Sequence, residues 1–327
     1  MEIETSARLH LSLIDLNGLE GRLDGGIGIT LEDPSLIIEC NESKDETSII
    51  FEDGLKHFDN DIYKSKILDA SKKIKDFLNI DTDYSFIIKE LYPIHHGLGL
   101  GTQLALSIGK LISSLNDVEM DVLDLAKIIQ RGGTSGIGVY SFENGGFIVD
   151  GGHKKSIKKD YLPSSASKVS PPPLIARYEF PEDWDIILAT PNIQQGASGK
   201  KEVDIFQSYS PIKIEDVERI SYLTLMKLMP AVLEEDIVSF GDAVHKIQSL
   251  GFKKIERNLQ DSKINYLLKD MEELGIPCVG MSSFGPTCFG ITDTNSKSIS
   301  KELTELTGNN AKIIVTKAKN HGSVLKR

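Results

Sequence analysis

The chain has 327 residues, 40% of them hydrophobic and 26% charged, with a formal net charge of −11. That length predicts about two domains of ~100–200 residues, with enough apolar material to bury a core. The acidic balance argues against a nucleic-acid partner, which needs a basic stripe, but leaves room for a small anion held by a few focused cations. Three cysteines, Cys40, Cys278 and Cys288, match no metal-site spacing and build no disulfide framework. The first 16 residues lack the basic start and long apolar core of a signal peptide. No run reaches the ~18 apolar residues of a membrane helix, so no membrane partner is expected and a reducing cytoplasm is the expected location.

In chain order, residues 7–16 alternate as a strand running into an Asn17-Gly18 turn, and 36–40, 47–51 and 84–90 are further strands rich in Ile and Phe. Between them, residues 62–78 carry a helical stripe of Ile67, Leu68, Ala70, Ile74 and Leu78. Residues 103–115 predict a helix, Asp121 caps another running to Ile129, and 147–150 return to strand. Residues 161–170, rich in Ser and Lys, run into Pro171-Pro172-Pro173. No helix crosses such a segment, which is the expected linker between domains at 1–165 and 166–327. Beyond it come a strand at 185–190, helices at 214–229 (stopped by Pro230), 234–249 and 261–274, and strands at 278–281 and 287–291. A helix at 298–306 and a strand at 311–316 complete the pattern. Regular βαβ alternation is missing, which favours an α+β fold.

Three glycine-rich segments stand out. The first, Pro93-Ile94-His95-His96-Gly97-Leu98-Gly99-Leu100-Gly101-Thr102, lies between a strand and a helix. There the chain can come close to a ligand, and the free N–H groups of the helix start face an anion. It is neither a Walker A loop nor a Rossmann fingerprint. The second is Arg131-Gly132-Gly133-Thr134-Ser135-Gly136-Ile137-Gly138, followed by Gly145-Gly146 and Gly151-Gly152. The third is Gly280-Met281-Ser282-Ser283-Phe284-Gly285-Pro286-Thr287. Any one of them can be a plain turn; three in one chain suggest close approach of a ligand.

In this order the segments resemble the GHMP superfamily of small-molecule kinases, with Pro93-x-x-x-Gly97-Leu98-Gly99 as the phosphate loop and Gly280 to Thr287 as the C-terminal glycine motif. The resemblance implies a GHMP-kinase-like α+β fold of two domains: an N-terminal domain like the ribosomal S5 second domain and a ferredoxin-like C-terminal domain. The sequence departs from the kinases in its chemistry. Leu100 and Gly101 stand where the kinases usually carry serines, and Gly138 stands where many carry an aspartate. Glycine has no side chain to take a proton or position a hydroxyl.

A second resemblance covers essentially the whole chain. Ser6-Ala7-Arg8-Leu9-His10-Leu11-Ser12-Leu13-Ile14-Asp15-Leu16-Asn17-Gly18, then Gly21-Arg22-Leu23-Asp24-Gly25-Gly26-Ile27-Gly28, is similar to the opening of the β-ribofuranosylaminobenzene 5′-phosphate synthases. So are the second glycine segment, Gly145 to His153, and Pro191, Gly196, Gly199, Glu202 and Phe206. This resemblance implies an archaeal enzyme of methanopterin biosynthesis and a homodimer. Such an enzyme joins phosphoribosyl pyrophosphate (PRPP) to 4-aminobenzoate or 4-hydroxybenzoate, releasing CO₂ and pyrophosphate, with Mg²⁺ neutralising the leaving group. The alternatives are an ATP-dependent small-molecule kinase and a non-catalytic binder of a phosphorylated metabolite.

The implied reaction passes through a cationic ribosyl carbon attacked by the ring carbon that bears the carboxylate. The amides and side chains of Gly97, Leu98, Gly99, Gly101 and Thr102, with Arg8, Arg22 and Arg131, suit the phosphates, since arginine offers a bidentate fork. Ser135 and Ser283, from the other two glycine segments, join them as substrate-binding residues. Asp24, or else Asp15, suits Mg²⁺ or the cationic centre. His10, His95 and His96 suit the benzoate carboxylate or its proton; Asp24, Arg22 and His10 form the expected catalytic set. Structural uses compete: an ion pair for Arg8, turn-building for Asp15 and Asp24, a packed or solvated place for one loop histidine, and a surface pair for Glu202 with Lys200-Lys201. His153-Lys154-Lys155 is expected as a solvated loop, and Lys158-Lys159 as surface.

Overall fold

The computed structural model describes residues 1–58, 60–193 and 199–327. Two long strands, β1 (Glu2–Asp15) and β2 (Arg22–Ser43), form the hairpin on which the rest is hung. Asp15 closes its turn by accepting from the amides of Asn17 (2.7 Å) and Gly18 (2.8 Å), the local side-chain-to-backbone bonding that makes aspartate a turn residue. Next come β3 (Ser48–Phe51), helix α1 (Asp61–Leu78), β4 (Asp83–Glu90), α2 (Leu100–Leu115), α3 (Val122–Ile128), α4 (Ile137–Glu143), β5 (Phe147–Asp150), β6 (His153–Lys154) and β7 (Leu174–Tyr178). The second half holds β8 (Asp185–Pro191), α5 (Lys200–Tyr209), α6 (Ile214–Leu223), α7 (Met229–Leu233), α8 (Ile237–Gln248), α9 (Gly251–Asn258) and α10 (Ser262–Glu273). It ends with β9 (Cys278–Met281), β10 (Cys288–Thr292), α11 (Ser296–Thr307), β11 (Ala311–Lys317) and β12 (Val324–Lys326).

The first sheet has the order β12-β1-β2-β4-β3, with β5 and β6 paired to β2 and β7 paired to β5. The second runs β11-β8-β10-β9, all antiparallel; counted within that half, this is the fourth-first-third-second order of a ferredoxin-like sheet. The fold is α+β, as expected. The expected division at 165/166 cuts across the first sheet, because β7 pairs with β5 and β12 pairs with β1. Residues 161–170 are no free tether either: the Leu162 carbonyl accepts from Thr134, and the Ser170 carbonyl accepts from His153 Nε2. Apolar side chains of both halves, from Ile3 and Leu9 to Phe240 and Phe289, share one core.

The helix expected over 214–229 does not stop at Pro230. A π-helical turn, Thr224–Leu228, joins α6 to α7, and the Met229 amide bonds back to the Thr224 carbonyl. The wider turn lets a proline, which lacks an N–H, enter at the start of α7 without breaking the rod. Helices α4, α5 and α9, strands β6, β7 and β12, and the part of β2 before residue 36 were not legible as elements. All three cysteines are buried and free, and burial pushes the thiols of Cys40 and Cys288 up to about 12, so they are inert. Among the described residues no helix is long and apolar enough to cross a membrane.

Candidate active site

The three glycine segments converge on one face, where β1, the start of α2 and the loop after β9 meet. Gly97 lies so close to that loop that a Cβ on it would come within 2.3 Å of the Ser282 carbonyl, and Ser282 Oγ donates to the Gly97 carbonyl (2.7 Å). Gly99, at φ +83°, caps α2 with no side-chain hydrogen bond to its first turn. Its missing side chain makes room for Arg8, whose guanidinium would stand 3.1 Å from a Cβ there. Arg8 is fixed by its own amide, which donates to the Leu98 carbonyl (3.1 Å), and by Nη1, which donates to the Gly97 carbonyl.

Arg8 Nε is buried with no hydrogen-bond partner among the described residues. Burial away from any paired carboxylate draws this guanidinium down to about 10. Beside it, Lys66 of α1, His95 and Arg131 line a crevice of about 160 Å³ together with Gly101 and Thr102. Burial lowers the pKa of each of these bases; the neighbouring Arg131 charge adds to the effect on Lys66, and Lys66 to that on His95. Asp69 acts on Lys66 and Arg131 and Glu202 lines the same crevice, but among the described residues none of these cations makes an ion pair, an arrangement that an anion would relieve. The first turn of α2 adds its unpaired dipole end to the same cup.

The crevice opens into a chamber of about 140 Å³ through shared walls at Arg8, Thr102, Ser165, Glu202, Ser283 and Phe284. Leu13, Phe206 and Phe284 make its apolar side. Opposite them, His10 Nε2 lies 3.1 Å from Ser135 Oγ, and Ser135 donates to Asp150 Oδ2 (3.2 Å). Burial, then the charges of Arg8 and Lys253, hold His10 well below its usual range, so it is a neutral imidazole. Burial raises the Asp150 carboxyl to about 6 against the amides of Gly152 and Gly136. Two glutamates complete the chamber. Glu256 of α9 pairs with buried Lys253 (2.8 Å), which also donates to the Ser283 carbonyl. Glu202, in the first turn of α5, accepts from Ser165 Oγ (3.2 Å), and burial pushes its carboxyl up to about 7.

Arg8, His10, His95, Gly97, Gly99, Gly101, Thr102, Arg131, Ser135 and Ser283 are therefore brought together, as side chains or as the backbone that shapes the cup. Leu98 and His96 turn the other way, into a separate cavity behind the loop, and His96 Nδ1 hydrogen-bonds the Ile94 carbonyl. Three expected residues lie elsewhere, each for a visible reason. Asp24 is buried, with both carboxylate oxygens 3.0 Å from Lys158 Nζ and Oδ2 also 2.6 Å from His153 Nδ1. Arg22 spends its guanidinium on the carbonyls of Gly151 and Gly152, both at 2.8 Å. Asp15 builds the hairpin turn. His153 and Lys158, expected at the surface, are buried as the partners of Asp24. Glu202 bonds Ser165 rather than its neighbouring lysines, and Gly196 lies outside the described residues.

The sequence reading missed Lys66, Lys253, Glu256 and Ser165. Lys66 sits inside an ordinary amphipathic helix, Ser165 inside a supposed linker, and the Lys253–Glu256 pair in a helix that had not been read at all. The residues named for Mg²⁺ do not fit one: Asp24 already has a cation, Asp15 holds amides, and no cluster of three metal-binding side chains exists among the described residues.

Residues 228–306 match the family model of the GHMP kinases C terminal. Over its whole length the chain superposes on homoserine kinase from Cytophaga hutchinsonii (TM-score 0.69, 14% identity, covering 99% of this chain and 96% of that one). Methanococcus jannaschii mevalonate kinase gives a TM-score of 0.63 at 17% identity, covering 98% of each chain. At such identities the likeness defines the fold alone: this is a protein with the GHMP-kinase fold.

Curated relatives narrow the class. The β-ribofuranosylphenol 5′-phosphate synthase of Methanothermobacter thermautotrophicus is 47% identical over 323 residues, 99% of this chain and 98% of that protein. The protein of the same name from Methanocaldococcus jannaschii is 44% identical over 333 residues, 98% and 99% of the two chains. The chain belongs to the β-ribofuranosylphenol 5′-phosphate synthase family.

Proposed function

We propose that this enzyme transfers the phosphoribosyl group of PRPP to 4-hydroxybenzoate, releasing CO₂ and pyrophosphate and forming a C-riboside, as a step of methanopterin biosynthesis. The observation that carries the reading is the pairing of two unlike compartments. A cup of half-buried cations that make no ion pair among the described residues suits a pyrophosphate, and an apolar, acid-edged chamber beside it suits an aromatic ring. The phenol in the relatives' name favours 4-hydroxybenzoate over 4-aminobenzoate.

In this reading Arg8, Lys66, Arg131 and the α2 amides draw charge off the leaving pyrophosphate. Glu256 lends negative potential to the ribosyl carbon as the C–O bond breaks, and Phe206 and Phe284 flank the ring that attacks it. Neutral His10, donating through Nε2 toward Ser135, orients polar groups without adding positive charge next to a cationic carbon. Mg²⁺, if required, has to travel on the substrate's phosphates rather than on Asp24 or Asp15. Arg8 at the junction reaches both compartments, so one residue can register both substrates.

The kinase reading loses support at two places. A Cβ on Gly138 would already stand 3.2 Å from Thr102, so an aspartate there needs Thr102 to give by a few tenths of an ångström. Around Gly101, where the kinases carry serine, the space is empty.

The test is incubation with Mg²⁺, PRPP and carboxyl-labelled 4-hydroxybenzoate. Labelled CO₂ released only when both substrates are present supports the reading. No CO₂, together with ATP turnover on a panel of small alcohols, overturns it in favour of a kinase. The expected homodimer is checked separately by light scattering on the same preparation.

A further inference from the structure

Resting on the reading above, we infer that Glu202 is the base that takes the proton of the acceptor's para-hydroxyl while the ring attacks, and returns it when CO₂ leaves. Three observations place it there. Glu202 stands where crevice and chamber join, on the wall it shares with Arg8, Ser283 and Phe284. The other glutamate of the chamber, Glu256, is already held by Lys253 at 2.8 Å, whereas the hydrogen-bonding partner of Glu202 is the neutral Ser165 hydroxyl. A carboxylate tied to an ammonium gives up its basicity; one held only by a hydroxyl keeps it.

The charged and titratable groups facing Glu202 are Arg8 and His10 from β1, Lys66 from α1, His95 and Arg131 around the cup, and Glu256 from α9. Burial is the largest influence on the Glu202 carboxyl, with the Glu256 charge adding in the same direction, and together they bring it to about 7. A base with that pKa is ionised in part of the population near neutral pH and strong enough to share a phenolic proton in the transition state.

The chemistry asks for such a group only with one acceptor. When the ring carbon bearing the carboxylate bonds to C1 of the ribose, the C1–oxygen bond breaks and pyrophosphate leaves with the electron pair. The para-hydroxyl oxygen then donates into the ring, and its proton passes to Glu202, leaving a neutral dienone instead of a protonated one. Loss of CO₂ returns the carbon–carbon bonding pair to the ring, and the phenolate oxygen recovers the proton from Glu202. Atoms and charge balance with no further reactant. With 4-aminobenzoate the nitrogen donates into the ring and holds its protons as an iminium, which is far less acidic than a protonated carbonyl, so the base matters less.

The experiment compares wild type and Glu202→Gln on both acceptors with PRPP and Mg²⁺, with thermal melts to confirm folding. Turnover of 4-hydroxybenzoate is expected to fall about 10²-fold or more, and that of 4-aminobenzoate at least tenfold less steeply. The acid limb of the wild-type kcat/KM profile for 4-hydroxybenzoate, where Glu202 becomes protonated as pH falls through about 7, is expected to vanish in the variant. Equal losses on both acceptors, or an unchanged acid limb, overturn the assignment, and Glu202→Asp recovering part of the 4-hydroxybenzoate rate alone supports it. Wild type releasing no CO₂ from either acceptor overturns the ribosyl-transfer reading itself, a separate outcome from failure of Glu202.

Discussion

Two regions of this molecule bury charge, and they do so in opposite ways. Around Asp24 the chain supplies every partner. Lys158 reaches both carboxylate oxygens, the Thr134 hydroxyl (2.9 Å) and the Leu162 carbonyl (3.0 Å), while His153 bridges Asp24 to the Ser170 carbonyl (2.9 Å). Around Arg8 the described residues stop short: a buried Nε has no partner among them, and Lys66 and Arg131 stand near it with no carboxylate of theirs in ion-pair contact. A closed charge network is a structural joint, tying the end of the β-hairpin to residues 153–170. An open one keeps charge and hydrogen-bonding capacity that an anion could satisfy. Burial alone distinguishes nothing here; the difference lies in whether the hydrogen-bond account closes.

The comparison breaks most sharply at the closed node. Asp24→Asn keeps the shape but leaves the Lys158 ammonium buried without its counter-charge. Stability should fall by about 3–5 kcal/mol, read as a lower denaturant midpoint, with any loss of turnover following the loss of folded protein. This differs from the catalytic role expected of Asp24 from the sequence. Full stability together with abolished turnover would move Asp24 back into the mechanism.

At the open node the signs exchange. Arg8→Met removes a half-buried cation whose Nε has no partner among the described residues, and the Gly97 carbonyl keeps its bond from Ser282. Stability should stay within about 1 kcal/mol of wild type, while PRPP affinity drops by roughly 10²-fold, the loss of a charge-assisted contact worth about 2–3 kcal/mol. Calorimetric titration with PRPP and a melt of the same sample check both halves. A large destabilisation with affinity intact would make Arg8 structural.

The smallest change sharpens the outline of the cup. Gly101 has open space where a Cβ would go, so Gly101→Ala should leave the fold as stable as before or slightly more so, given the ~0.5–1 kcal/mol that glycine costs inside a helix. Its methyl would then stand at the mouth of the cup and raise KM for PRPP several-fold, about 1 kcal/mol of lost binding. An unchanged KM would place the phosphates elsewhere in the crevice.

Much of this architecture was legible because it is written locally. The helical stripe ending at Leu78, the capping Asp121 (whose Oδ1 accepts from the Leu123 amide at 2.8 Å) and the alternation of β4 all report what a few neighbouring residues do to the backbone. The glycines at 97 and 99 were legible for the same reason, since close approach and a positive φ need glycine whatever packs nearby. Pro230 misled because the π-helical turn that accommodates it depends on how α6 and α7 pack.

The sequence by itself thus determined most of the elements, the α+β class and the family, and it raised the expectation of a phosphate loop. Only the tertiary structure decided which charges are spent and which are free. Asp24 and Lys158 are 134 positions apart, and nothing local to Asp24 distinguishes a metal ligand from half of an ion pair. Glu202, Glu256 and Lys66 come to one site from three helices, so their shared chemistry exists only once the chain has folded. Pairing is a property of distance in space, and a one-dimensional pattern carries no record of it.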